Sequence, residues 1–148
     1  MFLDVWIDEK IDAYLTQKEQ GYFTIKQKVF LFRELSYLIE GWVSIVDSVM
    51  IIKNSTESWS VKRICNEMYG ALNKGETLSY SMAQLPTYFN KGDTNILKSG
   101  EESGELTRVL KYLSDEYEFL NQIKSKYIGA MIYPSLLFIM AIGGVLVL

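Results

Sequence analysis

The sequence predicts an all-α protein: an antiparallel helical bundle of about six helices whose last helix leads into a transmembrane helix. Three observations carry this prediction. Apolar residues recur three and four positions apart along most of the chain, no stretch of six or more residues alternates as a strand would, and no Asp, Glu, Lys or Arg occurs from Ile128 to Leu148. At a helical rise of about 1.5 Å per residue that tail reaches roughly 30 Å, the thickness of a bilayer core. Eleven of its residues are Ile, Leu, Val or Phe. Each favours insertion by about 0.3 to 0.6 kcal/mol, and no charge at roughly 3 kcal/mol opposes them. A core helix in so small a body rarely stays apolar on every face for that length. Lys124 and Lys126 stand just before the tail, and the positive-inside rule places that flank in the cytoplasm.

Taken in order, residues 1–23 form an N-terminal segment and linker, in which Val5, Trp6, Ile7, Ile11, Tyr14 and Leu15 make a weak amphipathic pattern before the polar run Thr16 to Gln20. The segment lacks the basic start and apolar core of a signal peptide. Thr24 and Gln27 have capping-box spacing, and Leu31, Leu35, Leu38 and Ile39 form the stripe of a first helix that Gly41 ends. Ser44 to Lys53 reads as a second helix through Ile45, Val49 and Ile52, followed by the loop Asn54 to Ser58. The third helix is the most regular, with Val61, Ile64, Cys65, Met68 and Leu72 on one face before Lys74 and Gly75. A short fourth helix uses Leu78, Met82 and Leu85 until Pro86 stops it, and a fifth lies near Ile96 and Leu97. The sixth carries Leu106, Val109, Leu110, Leu113, Tyr117 and Leu120 on one stripe. Ser103 is its expected N-cap, and Glu101, Glu102 and Glu105 gather where the positive end of a helix dipole favours carboxylates. Gly100 and Gly104 permit a tight turn ahead of it.

The inventory excludes much chemistry. With no His and a single Cys among 148 residues, most zinc sites and His-dependent triads have no ligands to draw on, and an intrachain disulfide is impossible. Cys65 falls inside an apolar stripe, which makes it a small buried hydrophobe rather than a reactive thiol. Gly70 to Gly75 mimics the start of a phosphate-binding loop and Thr77 supplies its hydroxyl residue, but Glu76 stands where the lysine that matches the phosphate charge is required. A net charge of −3 and dispersed aromatics give nucleic acid nothing to bind. Residues 24–127 therefore read as a cytoplasmic helical bundle without catalytic, cofactor or metal residues, and 128–148 as its membrane helix.

The stretch Gly100-Glu101-x-Ser103-Gly104-x-Leu106, followed by a long helix, resembles a motif of the inner-membrane platform proteins of type II secretion systems and type IV pili, often called F-domain proteins. Three further stretches match in order: Arg33-x-Leu35-x-x-Leu38-x-x-Gly41; Gly75-x-x-Leu78-Ser79 continuing to Pro86 and Phe89; and Tyr133-Pro134 early in the apolar tail. The resemblance covers about two thirds of the chain. It departs from the family at Trp42-Val43, where a proline is usual, and at Phe30 and Phe32, where the aromatic before the arginine is shifted.

The resemblance implies a non-enzymatic platform component in the bacterial inner membrane, with its bulk on the cytoplasmic side. It would oligomerise and couple a cytoplasmic ATPase to insertion of pilin subunits during pilus assembly or protein transport, touching other inner-membrane machine components and membrane lipid. It also implies that the chain is the first helical domain and first span of a longer protein. Two readings from other classes stand beside it. A tail-anchored adaptor or receptor domain would end near Leu148, and a membrane-bound metal-dependent enzyme would use the acidic cluster.

Overall fold

Thr24 opens the body as its spacing predicts. In a computed structural model, which describes residues 23–147, the Gln27 amide N–H donates to Thr24 Oγ1 at 3.3 Å and Thr24 N–H donates to Gln27 Oε1 at 2.8 Å, closing the capping box. Helix α1 (Ile25–Glu40) follows and buries Val29, Leu31, Phe32, Leu35 and Ser36. Gly41 ends it as expected, with Glu40 the last helical residue. Gly41 keeps a negative φ of −77°, and the left-handed residue is Trp42, at φ 64°. Trp42 N–H donates to Ile39 O and Val43 N–H to Leu38 O, both at 3.0 Å, the paired bonds of a Schellman ending with tryptophan where glycine is usual. The left-handed position falls one residue beyond the glycine, so the conformational cost is carried by Trp42.

Helix α2 (Ile45–Ser55) is capped by Ser44, and α3 (Trp59–Leu72) by Ser58. The Gln27 side chain also donates to Ser58 Oγ at 2.7 Å, which ties the cap of α1 to the cap of α3. Val61, Ile64, Cys65, Met68 and Leu72 are all buried, so the most regular stripe in the sequence is the one the core uses most fully. Helix α4 (Leu78–Ala83) is capped by Thr77 and stops ahead of Leu85, which is buried in the following turn. Helix α5 (Lys91–Ser103) starts earlier than Ile96 suggests, because Asn90 Oδ1 accepts from Asp93 N–H at 2.8 Å and so caps it.

The last helix, α6 (Leu106–Val147), has 42 residues. Its first part packs antiparallel to α5 and, more extensively than any other pair of elements touches, against α1. Ser114 Oγ reaches Val29 O at 3.5 Å, while Phe23 to Lys26 lie beside Asn121 to Ile128, so α1 and α6 also run antiparallel. Leu110, Leu113, Ser114 and Tyr117 are buried there. From Lys124 to Val147 every side chain is exposed, and the apolar window of this helix has a mean hydropathy of 2.2 with none of it buried. The structure is thus an all-α body of six helices among the described residues, the last of them long and apolar enough to cross a membrane. Pro134 lies inside it and withholds an N–H from the preceding turn, and the Ser135 hydroxyl donates to the Met131 carbonyl one residue on. Residues 1–22, with their weak amphipathic pattern, and Leu148 lie outside the described residues.

Candidate functional site

The turn between α5 and α6 is assembled from the motif residues themselves. Gly104 sits at φ 75°, a left-handed conformation that costs an L side chain roughly 1 to 2 kcal/mol and glycine almost nothing. Glu105 N–H donates to Gly100 O at 2.8 Å and Gly104 N–H to Glu101 O at 3.4 Å, a complete Schellman ending. Leu106, half-buried against the core, then starts α6. Gly100 does a different job from Gly104. A Cβ placed on it would stand 2.8 Å from Val109 Cγ2 and 3.1 Å from Val109 Cβ, so the missing side chain is what lets α5 and α6 approach this closely.

Two expectations about this turn are corrected. Ser103 is the last residue of α5, with its hydroxyl against Gly100 O at 3.4 Å, and does not cap α6. Glu101 lies in the last turn of α5 rather than at the start of α6. Its carboxylate nevertheless sits at a helix N-terminus, that of α4. Oε1 accepts from Leu78 N–H at 2.6 Å and Ser79 N–H at 3.2 Å, and Oε2 accepts from the Ser79 hydroxyl at 2.5 Å. For Glu101 the favourable dipole is that of α4 rather than α6, because a contact across 22 residues leaves no trace in local spacing. Glu102 only approaches Lys98 at 4.0 Å, and Glu105 pairs with Arg108 at 3.0 Å on the surface. Among the described residues no group of His, Cys, Asp or Glu could hold a metal ion.

The structure therefore brings two of the motif stretches together. Gly75, at φ 90°, ends α3 so that Leu78 and Ser79 begin α4 under the Glu101 carboxylate. Phe89 is buried with its ring 6.0 Å from Phe32, whereas Pro86 is exposed. The other motif residues are elsewhere. Arg33 on α1 pairs with Glu118 on α6 across partly exposed side chains, Leu35 is buried and Leu38 packs against the core. Tyr133 and Pro134 stand exposed on the apolar half of α6, far along the chain from the turn.

A buried polar group near α6 was not anticipated. The Tyr117 hydroxyl donates to Asp93 Oδ2 at 2.5 Å and accepts from Asn90 Nδ2 at 3.2 Å, while Lys28 Nζ stands 4.9 Å from the centre of the Tyr117 ring. Burial, then the hydrogen bond to Asp93, push the Tyr117 phenol up, and burial lowers the Lys28 ammonium against the opposing pull of Asp93. The only local sequence signal for it is the Asn90-x-x-Asp93 cap spacing. Cys65 is buried, and burial pushes its thiol up to about 12, so it is an inert apolar filler at neutral pH.

These features define a class: a helical domain locked through a glycine- and carboxylate-lined turn to a helix of membrane-crossing length. Residues 31–148 match the family described as Type II secretion system (T2SS), protein F, and the chain belongs to that family. It is 28% identical over 111 residues to the type II secretion system protein F of Vibrio cholerae, covering 75% of this chain and 27% of that protein. Against the type IV pilus assembly protein TapC of Aeromonas hydrophila it is 25% identical over 135 residues, 86% of this chain and 33% of the relative. Against the type IV pilus assembly protein PilC of Pseudomonas aeruginosa it is 26% identical over 110 residues, 74% of this chain and 29% of the relative. The chain spans about a third or less of the length of these relatives.

Proposed function

We propose that this chain is the first cytoplasmic domain and first span of a non-enzymatic platform protein in the bacterial inner membrane, coupling a cytoplasmic ATPase to pilin insertion in a pilus or secretion machine. The observation that carries the proposal is the continuity of α6: one helix buries Leu110, Leu113, Ser114 and Tyr117 in the body and is charge-free and outside the core beyond Lys126. A force applied to the body reaches the span without an intervening loop. The family match and the relatives named for secretion and for pilus assembly support the same reading. Lys124 and Lys126 favour a cytoplasmic body. The exposed helix faces would meet the ATPase, further copies of the protein and other inner-membrane machine components. In this reading Gly100, Glu101 and Gly104 shape the joint that passes motion from body to span.

The test is complementation of a strain lacking the full-length protein, with abundance in the membrane fraction measured beside surface fibres and secreted protein. The wild type should restore assembly. Replacing both glycines, Gly100→Ala with Gly104→Ala, should abolish it while the protein remains in the membrane. Unimpaired fibres and secretion in the deletion strain would overturn the platform role, and normal assembly by the double variant would overturn the role of the joint.

A further inference from the structure

Where α1 begins and the charge-free part of α6 begins, the body carries a surface groove of about 830 Å³. Its floor includes Phe23, Ile25 and Ile128, and its charged lining residues are Lys26, Lys124 and Lys126, with no acid among the lining residues. Among the described residues none of the three ammonium groups is paired with a carboxylate; six other lysines of the body are also without an ion pair, and what sets these three apart is that they line one groove. The groove also stands at a definite depth. Ile128 is both a lining residue and the first residue of the charge-free run, so Lys124 lies about 6 Å back along the helix, at the level of lipid headgroups.

We propose that this groove binds the headgroup of an anionic phospholipid, with Lys26, Lys124 and Lys126 around the phosphate and the apolar floor beside the upper acyl chain. Three unpaired cations match an anion, and the apolar lining residues Phe23, Ile25 and Ile128 beside them suit an amphiphile better than a free ion. Lysines flanking a span are common and by themselves indicate only orientation. Lys26 is different. It is close to 100 residues upstream in sequence and is brought to the same groove by the packing of α1 on α6. A lipid held there would clamp the base of α1 to the base of the span, which fixes the body's height above the bilayer. The inference rests on α6 crossing the membrane, and not on the identity of the machine.

The experiment titrates the full-length protein in detergent with phosphatidylglycerol or phosphatidylcholine and counts bound lipid by native mass spectrometry, with sided labelling of a Val147→Cys variant in membranes run in parallel. Phosphatidylglycerol should bind more tightly, by about fivefold for each lysine engaged. Lys26→Gln should lose about fivefold of that preference, and Lys62→Gln, on the exposed face of α3, should lose none. Equal binding of the two lipids, or a Lys26→Gln protein that binds as the wild type does, overturns the proposal. Displacement of the lipid by inorganic phosphate would assign the groove to a free anion instead, and displacement by an acidic peptide would assign it to a protein partner. Labelling at Val147→Cys from the cytoplasmic side contradicts the span itself, which separates that failure from failure of the groove.

Discussion

Two helix endings in this protein share one hydrogen-bond pattern and differ in the residue at its strained position. At the end of α5 the left-handed residue is Gly104, and at the end of α1 it is Trp42, with Gly41 one place too early. The first ending is also braced by Glu101, which holds α4, and by the close contact of Gly100 with Val109. The second has only its own two backbone bonds, and the Trp42 side chain is 96% exposed. The contrast teaches where this fold specifies its geometry. The turn that leads into α6 is fixed by backbone conformation, steric fit and a carboxylate cap at once, while the turn from α1 to α2 carries strain that no visible side-chain contact offsets.

Substitutions can break this contrast from both sides. Glu101→Ala should have the largest effect. It leaves Leu78 N–H, Ser79 N–H and the Ser79 hydroxyl without their charged acceptor, and should destabilise the body by about 3 kcal/mol in denaturant titrations of the detergent-solubilised protein. Gly100→Ala comes next. The overpacking against Val109 costs about 1 to 3 kcal/mol, and the better helix propensity of alanine returns about 1, for a net loss of up to about 2 kcal/mol. Gly104→Ala should lose about 1 kcal/mol, from the left-handed backbone alone, since nothing lies near its Cβ.

Trp42→Gly should move the other way. It relieves the left-handed strain at about 1 to 2 kcal/mol, gives back part through the looser unfolded chain, and should raise stability by up to about 1 kcal/mol. No buried contact is lost with the indole. A destabilised Trp42→Gly protein would mean that the exposed ring has a partner and that the two endings are less different than their geometry indicates.

How much of this was legible in the sequence depended on the distance over which each feature is written. The stripe of α3, the Thr24 capping box and the apolar tail are local patterns, and the structure uses each of them as read. Helix ends were read less well. Gly41 ends α1 as its position suggests, but the left-handed residue of that ending is Trp42, one place further on. Ser103 had the composition of an N-cap, but Gly104 already ends α5 there. The partners of Glu101, Arg33 and Tyr117 were out of reach because each contact joins helices distant in sequence, and periodicity reports which face a residue occupies without saying what that face meets. Family resemblance marked Gly75 to Ser79 and Gly100 to Leu106 as separate motifs, and only the fold shows them in contact.

That contact is the centre of the account, and a double-mutant cycle between Glu101→Ala and Ser79→Ala tests it most directly. Stability of the full-length protein would be measured for the wild type, both single variants and the double variant. If the Glu101 carboxylate and the Ser79 hydroxyl bond as described, the two losses should fall short of adding by about 1 kcal/mol or more. Additive losses would mean that the two side chains act independently, and that the turn into α6 is not tied to α4 through them.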